Sequence, residues 1–231
     1  MRERPDVVCL QEIKATSDQI PIALCEMEGY WCYWHGGKGY SGVALQVSQA
    51  FSPERPVFAH PTFDYENRVV TVDVHTALGD VTVASVYVPN GGKDFRAKMQ
   101  FLEAMDAYAA SFQASDRCIV LMGDMNVART ERDVHPKERK PRAIGQLPEE
   151  RALMERIIGR GLVDVGRALD PDNDGLFTWW APWRNMRQRN IGWRLDYVFA
   201  SETLAARATA CPVQKDIGTS DHAPVVATFA L

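Results

Sequence analysis

Six side chains suited to hydrolytic chemistry recur beside apolar runs of this 231-residue chain. Val7-Val8-Cys9-Leu10 leads into Gln11-Glu12, and Ile119–Met122 leads into Gly123-Asp124-Met125-Asn126. Asp196 lies within Arg194-Leu195-Asp196-Tyr197, and Ser220-Asp221-His222 precedes a final apolar run. Strand ends at one sheet edge are where α/β folds group their working side chains. Oxygen donors of this kind suit a hard cation such as magnesium, which takes one or two carboxylates and keeps its other positions for water or phosphate oxygens. Taken singly, each has a plainer reading. A lone Glu after a strand is usually a surface residue, an isolated Asp-x-Asn is usually turn chemistry, and Ser-Asp-His suits a capped loop. His35, His60, His75 and His135 lack such company and read as structural or solvated.

The elements that must position these residues are legible in part. Val70, Val72 and Val74 alternate with polar residues, and 81–88 follows after a Leu-Gly-Asp turn, which predicts an antiparallel hairpin. The continuous apolar runs Cys118–Met122 and Val225–Phe229 predict strands covered on both faces. Tyr30–His35, Val43–Val47, Phe177–Trp180 and Leu195–Ala200 are further predicted strands. Helical spacing places Phe95, Met99, Leu102, Met105 and Phe112 on one stripe. A second helix over 149–160 opens at Pro148 and closes at Gly159 and Gly161, and 18–28 suits a shorter one. Strands interspersed with helices, some paired antiparallel, predict an α/β (α+β) domain spanning 1–231, with two sheets face to face under helices.

Composition bounds the partners. Hydrophobic residues are 46% and charged residues 24%, as in ordinary soluble domains. No apolar run approaches the ~20 residues of a membrane span. Five cysteines (9, 25, 32, 118 and 211) at irregular spacing fit free thiols of a reducing, cytoplasmic compartment. The net charge of −4 argues against nucleic acid, but its distribution matters more than its sum. Lys and Arg outnumber acids between 129 and 142, and Arg184, Arg187, Arg189 and Arg194 share a stretch without acids. Either run alone is most often a solvated loop.

The ordered set changes the balance. Gln-Glu-x-Lys (11–14), Tyr-Val-Pro-Asn-Gly (87–91), Gly-Asp-x-Asn (123–126), Asn-x-Gly-Trp-Arg-x-Asp-Tyr (190–197) and Ser-Asp-His (220–222) span nearly the whole chain. This resembles the exonuclease III / abasic-site endonuclease family of the endonuclease/exonuclease/phosphatase superfamily. The short motifs belong to the superfamily at large, whereas 87–91 and 192–197 are specific to its DNA-repair branch.

The resemblance implies a four-layer sandwich of two mixed sheets flanked by helices, and a magnesium-dependent phosphodiesterase, manganese being able to substitute. It implies cleavage 5′ to abasic sites in duplex DNA leaving a 3′-OH, with 3′→5′ exonuclease and 3′-end trimming. It makes Glu12 the main metal ligand and Asp221 a second carboxylate, with Asp124, Asn126 and His222 around the same cation. Asp124 would accept a proton from the attacking water, Asn126 would orient that water or the phosphate oxygen, and Tyr87 would bond the phosphate or help activate the nucleophile. His222 would donate to a phosphoryl oxygen, held by Asp196. Trp179 and Trp193 would line the pocket for an extruded abasic sugar, with core packing an equal claim on them. Lys93, Arg96, Arg184, Arg187 and Arg189 would grip phosphates of DNA carrying abasic sites or blocked 3′ ends. The protein is expected to be a cytoplasmic monomer, nucleoid-associated if bacterial, that does not engage membranes. The family begins with an Asn-bearing strand and a helix, roughly 20 residues by mean element lengths, where this sequence starts at Met1. That implies loss of the first strand and impaired activity. Alternatives are a superfamily phosphodiesterase acting on inositol phosphate, lipid or RNA, and a catalytically silent DNA-binding fragment. The reading requires the carboxylates of 12, 124 and 221 and the imidazole of 222 to gather at one rim.

Overall fold

A computed structural model describes residues 4–218 and 220–230, without the side chains of Leu24 and Cys25. Met1–Glu3 and the Cys25 thiol therefore lie outside the described residues. Two compact units emerge, residues 1–87 with 117–123, and residues 88–116 with 124–231.

In the first unit, β1 (Val7–Gln11), α1 (Ile22–Met27), β2 (Tyr30–His35) and β3 (Val43–Ser48) form an antiparallel sheet, order β1-β3-β2, with α1 against β2. The strands β4 (Phe58–Ala59), β5 (Val69–Thr76), β6 (Gly79–Tyr87) and β7 (Cys118–Asp124) follow one another in a second sheet. The predicted hairpin is present, its register running from Val69↔Val86 to Thr76↔Gly79. Strands β1 and β3 pack across β5 and β6, so the two main sheets lie face to face. Val43, Leu45 and Val70, on the facing sides of the two pleats, are wholly buried there; burying such a side chain contributes roughly 1.5–3 kcal/mol. Between the sheets Gln11 Nε2 donates to Ser85 Oγ at 3.0 Å, and Ser85 Oγ donates to the Leu10 carbonyl at 3.3 Å. Cys9 is half-buried as a residue, yet its thiol is enclosed. Burial pushes that thiol up to about 12, with Ser85 opposing the shift. Gly123 stands where a Cβ would sit 2.1 Å from the Val86 carbonyl oxygen and 2.9 Å from Gln11 Nε2, at φ +137°. Only glycine serves there, which accounts for the first residue of Gly-Asp-x-Asn.

The second unit opens with α2 (Phe95–Ser115), capped by the Asp94 carboxylate accepting from Ala97 N, and packed on α3 (Pro148–Ile158). The buried face of α2 holds Leu102, Met105 and Phe112 as predicted, but also Lys98 and Asp106, which no apolar pattern selects. Next come β8 (Leu162–Asp164), α4 (Val165–Leu169), β9 (Asp196–Ser201), α5 (Glu202–Ala205), β10 (Ala208–Ala210) and β11 (Thr228–Phe229). β8 pairs antiparallel with β9, and α3, α4 and α5 cover that pair. Two strand expectations are corrected. Phe177–Trp180 forms isolated bridges and no strand: Trp179 meets both Trp193 and His222. Val225–Phe229 is no doubly covered strand: Thr228–Phe229 pairs irregularly with β10, Val225 forms an isolated bridge with Val213, and residues 225–229 stay half-buried or exposed. Among the described residues no helix is long and apolar enough to cross a membrane.

Candidate active site

In the first unit β1 ends at Gln11, and the chain turns at Glu12 with φ +55°. The exposed Glu12 carboxylate accepts from the Tyr87 hydroxyl at 3.2 Å and pairs with Lys14 at 3.1 Å. Tyr87 closes β6, and its ring lies 4.8 Å below the Arg68 guanidinium carbon. Arg68 is itself buried, bonding the Tyr87 carbonyl, Tyr40 hydroxyl and Glu66 carboxylate. Sequence reading missed Arg68 because a lone Arg before a valine run carries no signal.

In the second unit Asp124, Asp196 and His222 converge, each offering a ligand atom within 4.8 Å of the others, so this group is able to hold a metal ion. Asp124 is buried, with Oδ1 accepting from Asn126 N at 2.9 Å and Oδ2 from Asn126 Nδ2 at 3.1 Å. Asn126, at φ +50°, also donates to the Val88 carbonyl at 2.9 Å and accepts from Asn90 Nδ2 at 3.1 Å. The left-handed conformation, which Asn tolerates, folds the amide back over the carboxylate. Beneath it Lys98 Nζ, wholly buried, donates to the carbonyls of Asn126 (2.7 Å) and Asn90 (3.2 Å) and pairs with Glu150 at 2.5 Å. Burial holds the Lys98 ammonium below its usual range, with Glu150 and Asp124 opposing.

His222 Nδ1 meets Asp196 Oδ2 at 2.8 Å. Burial of the ring opposes its charging, but Asp196, then Asp124 and Asp221, outweigh it and raise the group to about 10. Asp221 accepts from Trp179 Nε1 at 2.8 Å, and Trp179 packs edge-on to Trp193 at 5.9 Å. Among the described residues the buried Trp193 Nε1 meets no hydrogen-bond partner. Gly192 lets Trp179 and Trp180 close on the chain, since a Cβ there would lie 2.4 Å from the Trp179 oxygen.

The arginines divide. Arg184 and Arg189 are exposed, as are Lys93 and Arg96. Arg187 donates to the carbonyls of Lys215 (2.8 Å), Ser220 (2.7 Å) and Ile217 (3.0 Å), binding the segment that carries Asp221 and His222. Arg194, counted from sequence in the same basic run, points inward, pairing with Asp164 and Asp133 and lying 4.5 Å over the Tyr197 ring. Tyr197 in turn donates to the Val127 and Arg194 carbonyls. The Arg-x-Asp-Tyr motif is thus a brace that presents Asp196.

A mixed α+β architecture with two main sheets flanked by helices and an acid–imidazole cluster defines the class: a phosphoesterase-type hydrolase fold. Residues 2–222 match the Endonuclease/Exonuclease/phosphatase family, and the chain belongs to that family. Within it the chain falls in the exonuclease III/AP endonuclease branch. It is 34% identical over 234 residues to an exodeoxyribonuclease of Bacillus subtilis, covering 96% of this chain and 87% of that protein. It is 32% identical to recombination repair protein 1 of Drosophila melanogaster over 98% of this chain, which spans only 33% of that protein's length. The solved AP endonuclease of Archaeoglobus fulgidus superposes with a TM-score of 0.82 at 28% identity, covering 98% of this chain and 90% of that one.

Proposed function

We propose that the chain is a magnesium-dependent DNA repair phosphodiesterase that cuts 5′ to abasic sites in duplex DNA, leaving a 3′-OH, and trims 3′ ends. The observation carrying this reading is the Asp196–His222–Asp124 cluster, an imidazole held charged between two carboxylates. The donors fit a hard cation: Asp221 offers an exposed carboxylate and Asn126 an amide oxygen in the second unit, and Glu12 offers an exposed carboxylate in the first. Of the two uses open to His222, donor and ligand, its charge favours the donor.

Bound magnesium would supply Lewis-acid stabilisation of the phosphoryl and leaving oxygens. The protein's own groups do the rest. Asp124, its carboxylate held by Asn126, accepts the proton of the attacking water. His222, charged through Asp196, donates to a phosphoryl oxygen, its ring held in place by the same carboxylate. The bond from phosphorus to O3′ breaks opposite the attack. Tyr87 offers a hydroxyl beside Glu12. Trp179 and Trp193 form one wall against which a sugar without a base can rest, since such a nucleotide is extruded at least cost. Lys93, Arg96, Arg184 and Arg189 meet phosphates, while Arg187 holds the loop of Asp221 and His222.

A labelled duplex with one abasic site tests the reading. Nicking should require magnesium, vanish in chelator, and fall by more than about 100-fold in Asp124→Ala. Cleavage of inositol phosphate or sphingomyelin with an untouched abasic duplex would overturn it.

A further inference from the structure

A second cluster of metal-ligating groups lies in the first unit, among residues that the proposed reaction does not use. His35 ends β2, His60 follows β4, and Asp64 sits in the turn before β5. Their ligand atoms all fall within 4.8 Å of one another. His35 Nε2 is 2.6 Å from Asp64 Oδ2, and the rings of His35 and His60 stack at 3.9 Å.

The surroundings orient Asp64 and His60 towards this cluster, where a cation would replace the proton that His35 Nε2 shares with Asp64 Oδ2. Asp64 Oδ1 is occupied by the backbone N–H groups of Arg68 (2.8 Å) and Val69 (2.9 Å), which leaves Oδ2 turned to the imidazoles. His60 Nδ1 lies 3.2 Å from the Val69 carbonyl, an acceptor only. That contact makes Nδ1 the protonated nitrogen and leaves the lone pair on Nε2, which meets the Tyr33 hydroxyl at 2.8 Å. A backbone carbonyl behind one nitrogen turns the other towards the metal in metal-binding imidazoles, and here that second nitrogen meets only a hydroxyl that an ion can displace or share. The carboxylate is fixed in the same way, by two donors on its far oxygen.

We propose that His35, His60 and Asp64 form a binding site for a divalent d-block cation of the zinc type. Two imidazoles and one carboxylate match the ligand preferences of zinc, nickel or cobalt and not those of magnesium. Three protein ligands leave a fourth tetrahedral position, for water or for the Tyr33 oxygen. Ligands of a tetrahedral zinc stand roughly 3.3 Å apart, so the 2.6 Å His35–Asp64 contact opens by less than about 1 Å on binding. The exposed ring of His60 gives the ion its entry. The ion would tie β2 to the turn between β4 and β5. The proposal is independent of the DNA chemistry assigned above.

Cobalt and zinc titration of the full chain tests it, in an Asp124→Asn/His222→Gln background that removes the other cluster. One equivalent of cobalt should bind with the visible absorption of a tetrahedral nitrogen–oxygen site and without a thiolate charge-transfer band. Zinc should displace it, and a large excess of magnesium should not. His60→Ala, whose side chain is exposed, and Asp64→Asn, which keeps an oxygen for the backbone donors, should each weaken binding by more than about 100-fold. Metal-free melting compared with the parent checks that each variant is folded; should Asp64→Asn unfold, His60→Ala decides alone. Binding unchanged in His60→Ala, a thiolate band, or no binding at tens of micromolar cobalt would overturn the site.

Discussion

At the scale of single residues, charge placement governs the chemistry. His222 is raised to about 10 because Asp196 and its neighbours overcome the burial of the ring. A folded-state value above the unfolded ~6.5 stabilises the fold fully below pH ~6.5, and that contribution is lost as pH rises through about 10. In chelator, the stability difference between the parent and Asp196→Asn should therefore be largest at about pH 6.5, shrink as pH rises towards 10, and be gone above that, as read by denaturant unfolding at each pH. Asp196→Asn should also lower turnover by roughly 10–100-fold, the usual effect of removing the carboxylate behind a working imidazole. Arg187 makes a sharper case. Its guanidinium is spent on three backbone carbonyls of the loop that carries Asp221 and His222. Arg187→Ala should lower kcat by up to about 100-fold through misplacement, while the salt dependence of duplex binding stays as in the parent. A phosphate contact would show the opposite pattern, a weaker salt slope with kcat preserved.

At the scale of elements, α2 does more than pack on α3. It places Lys98 under the Asn90 and Asn126 carbonyls, and α3 supplies Glu150 as its counter-charge. Glu150 also accepts from the backbone of Gly145 and Leu147. Removing one partner of such a pair strands a charge in the interior. Lys98→Ala should cost about 3–5 kcal/mol in unfolding free energy, and Lys98→Met with Glu150→Gln should recover part of it. Much of this was legible in the sequence and some was not. The β5–β6 hairpin announced itself through alternating valines and a glycine turn, and α3 through Pro148. Lys98 and Asp106 were hidden because a buried charge looks like a surface one until its partner, 52 or 50 residues away, is known. Arg194 was misread with its exposed neighbours for the same reason. Apolar content makes 177–180 and 225–229 look like strands, yet the first bonds to the backbone around Trp193 and the second joins a ladder only at Thr228–Phe229, with Val226 bonded to Pro212.

At the scale of the whole molecule, a net charge of −4 must be reconciled with a polyanionic partner. The exposed Lys93, Arg96, Arg184 and Arg189 carry that burden in the proposed function. Each alanine substitution among them that removes a phosphate contact should weaken binding without regard to sequence and lower the salt slope by about one. Filter binding of an abasic duplex across a salt series measures it. The family and the nature of the fold were legible because their motifs are short, ordered and tied to strand ends. The pairing of Arg68 with Tyr87 and the backing of His60 by Val69 were not, since they are set by register between strands.

The enclosed thiol of Cys9 offers a practical consequence. A sulfur held as the neutral form, away from solvent, reacts with alkylating reagents only when its surroundings part. Its labelling rate is therefore a clock for separation of β1 from the hairpin beneath, readable by mass spectrometry of the peptide that contains it, with no engineered probe.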